Sequence, residues 1–296
     1  MRKAYFQMHI AIVLWGFTAI LGKAIHLDEG LLVWYRMFFS AIATCAYLIY
    51  IKQFKILPLK QLLQFAGIGS IVTLHWITFY GAIKASNVSI AISCFSSVAL
   101  FTALLNPLLN RKLPKWSEVI LGLAVIAGIY IIFTVQHFYL RGIILSLISA
   151  FLAALFTVLN KRISGKYDPG LITFYELGTG FLILTILLPG WFYFNQSSFV
   201  IPEKMDFVYL LILSVCCTTF AFTLSLHALK KLDAFTMNLS VNLEPLYSII
   251  LAILIFHEDK MLNTGFYIGS IVILIAIALH GILMIRKTKK FNQEKA

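Results

Sequence analysis

Charge is scarce in this sequence. Asp, Glu, Lys and Arg make up 12% of the 296 residues and only 12 of them are acidic, against about 25% charged residues in ordinary soluble domains. Cysteine is scarcer still. Cys45, Cys94, Cys216 and Cys217 all fall inside apolar stretches with no CxxC or Cys/His ligand spacing, which excludes a disulfide framework or a zinc site as the organising feature. No Walker A loop, HExxH or GxSxG occurs, and no two histidines are spaced i, i+4. The signatures of nucleotide-driven transport, zinc hydrolysis and serine hydrolysis are therefore missing, and no cofactor or metal is expected.

What is abundant is apolar surface. Hydrophobic residues reach 60% and mean hydropathy is +0.91, too much for one soluble domain to bury. A helix needs about 20 mostly apolar residues to cross the hydrocarbon layer, and ten runs of that order occur, at 5–23, 31–51, 64–84, 87–109, 117–134, 142–160, 170–189, 207–229, 233–256 and 264–285. Barrel strands would be half as long and alternating, so the runs read as helices and the fold class as all-α and polytopic. The opening Met1-Arg2-Lys3 resembles the start of a signal peptide. Without a small-residue cleavage site behind it, the first run is expected to remain as an uncleaved span.

Basic residues sort by connection. Taking alternate sides, 18 fall on the side of the N-terminus and 5 on the other, with Arg36 inside a span. That bias places both termini in the cytoplasm of a multi-pass inner-membrane protein. The net charge of +12 is then topogenic, set beside anionic lipid, and calls for no nucleic acid.

The chain also repeats itself. Asp28–Arg36 reads DEGLLVWYR and Asp168–Glu176 reads DPGLITFYE, at the starts of spans two and seven, while Ala82-Ile83-Lys84 matches Ala228-Leu229-Lys230 at the ends of spans three and eight. Five spans separate the copies, so the halves cross the membrane in opposite senses. Two inverted five-helix repeats, 1–136 and 137–296, are expected, with the second carrying a short basic tail and a solute site at mid-membrane between them.

The stretch His9–Lys23 (HIAIVLWGFTAILGK), Arg36 early in span two, YGAIKAS at Tyr80–Ser86, and Glu244-Pro245 followed by Glu258 together resemble an EamA-type member of the drug/metabolite transporter superfamily. The resemblance implies a ten-helix alternating-access carrier of a bacterial inner membrane, often an exporter of amino acids or other small metabolites. The chain departs from the family pattern in span four. Pro245 and Glu258 align there with Val98 and Arg111, and Asn106-Pro107 occurs instead.

Ionisable groups inside spans are functional candidates by default. Glu244 lies halfway along span nine, beside Pro245, whose missing N–H frees the carbonyl of Val241. It is the first candidate for a proton or cation site. Arg36 and Glu176 hold equivalent places in the two repeats, about five residues into their spans. There they would reach an interface by snorkelling, or act as gates near opposite mouths of the pathway. His75, with Trp76 and Tyr80, could carry a proton or meet a substrate carboxylate against an aromatic wall, or simply pin two helices. His9 and Trp15 in span one are further pathway candidates. Pro107 and Pro245 are the candidate helix breaks, and Gly265 and Gly269 form a GxxxG packing face in a monomer or weak homodimer. The sequence thus reads as a secondary active transporter of a small metabolite, driven by an ion or solute gradient. A lipid-acting membrane enzyme and a channel or receptor are the alternatives.

Overall fold

The computed structural model describes residues 2–135, 139–258 and 263–293, which form thirteen α-helices and one π-helical segment. The topogenic Lys260 and Lys295, and His137, lie outside the described residues. The helices are α1 (Arg2–Ala24), α2 (Glu29–Tyr50), α3 (Leu59–Ala85), α4 (Val88–Phe95), α5 (Val98–Leu109), α6 (Trp116–Val135), α7 (Leu140–Ile163), α8 (Pro169–Asn195), α9 (Lys204–Ser214), α10 (Ala221–Leu229), α11 (Ala234–Val241), α12 (Glu244–Phe256) and α13 (Thr264–Gln293). The π-helical turn, Val215–Phe220, joins α9 to α10. Among the described residues, seven helical stretches are long and apolar enough to cross a membrane, with Val88–Leu109 and Lys204–Leu229 each counting as one, and shorter apolar helices occupy runs five, nine and ten. The all-α, ten-span reading of the sequence stands.

Span starts are set by short polar caps. Asp28 accepts from Leu31 N, Asn87 from Ile90 N, Asp168 from Gly170 N and Asp233 from Thr236 N. Each satisfies one of the orphan N–H groups that a helix entering lipid cannot leave bare. These four caps are repeat mates: Asp28 with Asp168 and Asn87 with Asp233.

The inverted repeat is visible in packing. Span two lies on span seven (α2 on α8), span four on span nine (α4 on α12) and span five on span ten (α6 on α13). The packing of α3 on α7 is mirrored by that of α10 on α1. Each contact thus has its image under an internal pseudo-two-fold. The GxxxG face is spent inside the chain, because a Cβ on Gly128 of α6 would lie 2.7 Å from the carbonyl oxygen of Gly269. Large apolar side chains such as Ile49, Leu63, Ile186 and Leu254 are exposed on the outer surface, where lipid tails would cover them.

Spans four and nine are both interrupted at mid-length. The ladder tightens at Ser96-Ser97, where Ser96 N and Ser97 N bond to Ser93 O and Cys94 O, and again at Asn242-Leu243, whose N–H groups bond to Leu239 O and Ser240 O. Such i to i−3 turns mark local hinges in a helix. This corrects one expectation: Pro107 sits inside α5, not at the interruption. Pro245 directly follows the interruption of span nine, in the first turn of α12, where a missing N–H costs little. The breaks also shift the repeat register by one residue, pairing Glu244 with Val98 as the first residues of α12 and α5.

Candidate functional site

The two interruptions face a cavity walled by both repeats. Trp15 and Thr18 of α1, Arg36 of α2, and His75, Trp76 and Phe79 of α3 line one part of it. Phe156, Thr157 and Asn160 of α7, Thr218 of the π-turn, Phe222 and Ser225 of α10, and Asn238 and Glu244 at span nine line the rest. Its depth follows from span direction. Asn160, Leu229 and Met237 belong to span ends on the side of the N-terminus, whereas Arg36, Thr218 and Glu244 lie near mid-membrane. The space therefore runs from the membrane centre toward the N-terminal side.

Arg36 forms the blind end. It is the eighth residue of α2 and 1% exposed, so it does not snorkel to an interface. Its Nε donates to Thr218 Oγ1 at 2.7 Å and its Nη1 to the Tyr80 hydroxyl at 2.6 Å. The guanidinium plane lies 3.8 Å from the Trp76 ring centroid. Stacking on an aromatic face suits the weakly hydrated, planar cation. The π-turn has a structural reason in this contact. Thr218 Oγ1 donates to Leu213 O five residues back while accepting from Arg36, so the widened turn aims the hydroxyl at the cation. No carboxylate forms an ion pair with Arg36 among the described residues. Charge is offered instead by Glu244, which lines the same cavity, is 5% exposed and accepts no hydrogen bond among the described residues.

The remaining candidates divide. Trp15 and Trp76 line the cavity, while Tyr80 is fully buried behind it and supports Arg36. His75 reaches the cavity wall, but its Nδ1 is tied to α7, donating to Ser149 O at 3.0 Å and lying 2.8 Å from the Ser149 hydroxyl. Phe95 and Phe156 flank its ring. His9 is exposed, 3.2 Å from the Tyr247 hydroxyl and away from the cavity. Glu176 is fully buried and touches the cavity only through Asn160, whose Nδ2 donates to its Oε2 at 3.1 Å. It neither snorkels nor meets Arg36.

Sequence reasoning missed Thr218, Asn160 and Asn238. The last donates to Thr102 Oγ1 at 2.7 Å, stapling span nine to span four. Their signal was neutral polarity inside apolar runs, which serine and threonine share without function.

The far end of the cavity is shut. Beyond Tyr80, Lys23 donates to Glu258 at 2.8 Å, and Glu258 also accepts from Val88 N, Ser89 N and the Ser89 hydroxyl. One carboxylate thereby caps α4 and ties spans one, four and nine together. Burial alone would raise the Glu258 pKa, but these donors outweigh it and hold the carboxyl below its ordinary value.

Known proteins place the chain in a family. The EamA-like transporter family matches twice, over residues 2–134 and 140–282. An uncharacterized transporter of Archaeoglobus fulgidus is 30% identical over 214 residues, covering 70% of this chain and 72% of that protein. The Bacillus subtilis uncharacterized transporter YcxC is 23% identical over 215 residues, 66% of this chain and 65% of its own length. A crystal structure covering 97% of this chain and 99% of the matched one superposes with a TM-score of 0.69 at 16% identity, a likeness of fold alone. Two family matches that together span nearly the whole chain, on a ten-span helical fold with internal two-fold packing, make this protein a member of the EamA-like transporter family.

Proposed function

We propose that the protein is a secondary carrier that moves a small zwitterionic metabolite, an amino acid or close relative, by alternating access through this cavity. Export across a bacterial inner membrane, with both termini cytoplasmic, is the direction we assign from the charge bias of the loops and from a cavity that runs toward the N-terminal side. The observation that carries the reading is the placement of Arg36 and Glu244 in one aromatic-lined cavity with no ion pair between them among the described residues. Arg36 keeps Nη2 unbonded among the described residues, so a solute carboxylate has a donor waiting. Glu244 suits the ammonium group, and Trp15, Trp76, Phe156 and Phe222 suit an apolar side chain. Opposite charges at fixed points, with apolar walls between, select by orientation as well as by polarity.

The energy source is an ion or solute gradient, and Glu244 is the residue we assign to proton coupling. The test is entry of individually labelled amino acids into proteoliposomes, with and without a pH gradient. Saturable entry above that of empty liposomes, steepened by the gradient, supports the carrier. Entry no faster than into empty liposomes for every amino acid overturns it, and turnover of the vesicle lipid would favour a membrane enzyme.

A further inference from the structure

Glu176 is a second carboxyl buried in the membrane, and the cavity chemistry above does not use it. It is the eighth residue of α8, 0% exposed, the mate of Arg36 under the internal two-fold. Its Oε2 accepts from Asn160 Nδ2 at 3.1 Å. Among the described residues its Oε1 has no partner, and neither has Asn160 Oδ1, itself on a residue 1% exposed. Two residues joined by one hydrogen bond thus each keep a buried acceptor oxygen without a donor. Around this turn of α8 the packed elements present neutral groups: Asn160 from α7, Gly69 and Thr73 from α3, Met37 from α2, and Thr223 from α10, the last bonded to Thr173. Among the described residues no cation pairs with it. An ionised carboxylate so placed is uncompensated, which proteins avoid by neutralising the group.

We propose that Glu176 and Asn160 form a proton-holding site, separate from Arg36 and Glu244, that communicates with the central cavity through the Asn160 side chain. A proton is the missing donor. A bound alkali or divalent cation would need several more oxygen ligands than these two, whereas one proton neutralises the carboxyl and turns one of its oxygens into a donor. Turning the Asn160 amide over gives the same answer, because Oδ1 would then face Oε2, a contact that requires a protonated carboxyl. The route is one-sided. α3 presses so closely on the other flank that a Cβ on Gly69 would lie 2.3 Å from the Glu176 carbonyl oxygen, while Asn160 lines the cavity. On release the Glu176 O–H bond breaks, the proton passes to water in the cavity, and the electron pair stays on the carboxylate, held by the Asn160 N–H. The site and its proton follow from this geometry; their use in driving transport rests on the carrier reading.

Infrared difference spectroscopy on the full-length protein in liposomes at neutral pH tests the site without any solute. The wild-type spectrum should contain a protonated-carboxyl C=O band that is lost in Glu176→Gln and kept in Glu244→Gln. Absence of such a band from the wild-type minus Glu176→Gln difference, with the variant folded, overturns the proposal. If Glu176→Gln does not fold, Asn160→Ala decides: the band should persist and shift to higher frequency as its hydrogen bond is lost, and an unchanged protonated-carboxyl region overturns the proposal. With a transported amino acid as probe and a pH dye trapped inside, Glu176→Gln should lower the number of protons moved per solute while sparing exchange of solute for solute. Unaltered proton movement would overturn the link to coupling. A wild-type protein that moves no amino acid would sink the carrier reading and leave the infrared result standing.

Discussion

An arginine buried at mid-membrane needs its charge spread and its donors met. Arg36 achieves both through the Trp76 face, the Tyr80 hydroxyl and Thr218, and this leaves part of the guanidinium for a ligand. Arg36→Gln should weaken solute binding by about 100-fold, in line with the 2–5 kcal/mol lost when one side of a buried charged contact is removed. A titration of tryptophan fluorescence with the transported amino acid reads it directly. Glu244→Gln should bind the solute more weakly, having lost the charge that faces the ammonium group, and lose the pH dependence of transport. Identical rates from mildly acidic to mildly alkaline pH in the wild type would remove its role. Arg36, Glu244, Trp15 and Trp76 were legible in the sequence because a charged or indole side chain deep in an apolar run has few bland explanations. Tyr80 was named but its use was not, since its hydroxyl bonds across two helices far apart in sequence. His9 misled for the opposite reason: depth in a span does not reveal which face a side chain takes.

Helix ends and interruptions carry the mechanics. The caps of α4 and α11 hold the first halves of spans four and nine against their breaks. Asp233→Ala, which frees Thr236 N and its hydroxyl, should cost about 1 kcal/mol of stability, seen as a lower melting temperature in detergent. The Glu258 latch gives a pH signature. Its carboxyl is held below its ordinary value, so its stabilisation is complete above the unfolded value near 4.3 and is lost as pH falls through the lower folded value. Melting temperature should therefore drop on acidification below about pH 4, and Glu258→Gln should flatten that drop while lowering the plateau at neutral pH. An equal acid-induced drop in the variant would assign it to other carboxylates. Breaks of this kind were poorly legible. Proline marked the one in span nine nearly in register, but span four breaks at a Ser-Ser pair, where competition between side chain and backbone leaves a weaker trace than proline does.

The whole molecule is two antiparallel copies of one five-span unit, closed around a shared cavity. The two antiparallel units were legible, because run length, loop charge and a nine-residue repeat each constrain topology independently of side-chain packing. The one-residue register between spans four and nine was not, since apolar helices align almost equally well when slid. The cavity was not legible either: it is assembled from helices of both halves, and no single stretch encodes its walls. A cytoplasm-restricted reporter fused to the C-terminus should be active, and silence from a well-expressed fusion would reverse the orientation. With the Lys23–Glu258 latch shut and the cavity running toward the N-terminal side, the molecule matches one of the two states that the proposed alternating access requires.

Counterflow in proteoliposomes tests that most directly. Preloading the vesicles with an unlabelled transported amino acid should accelerate entry of the labelled one in the wild type, and Arg36→Gln should lose the acceleration. Entry that is indifferent to preloading, or no faster than into empty liposomes for every amino acid tried, would contradict a carrier working through Arg36 and Glu244.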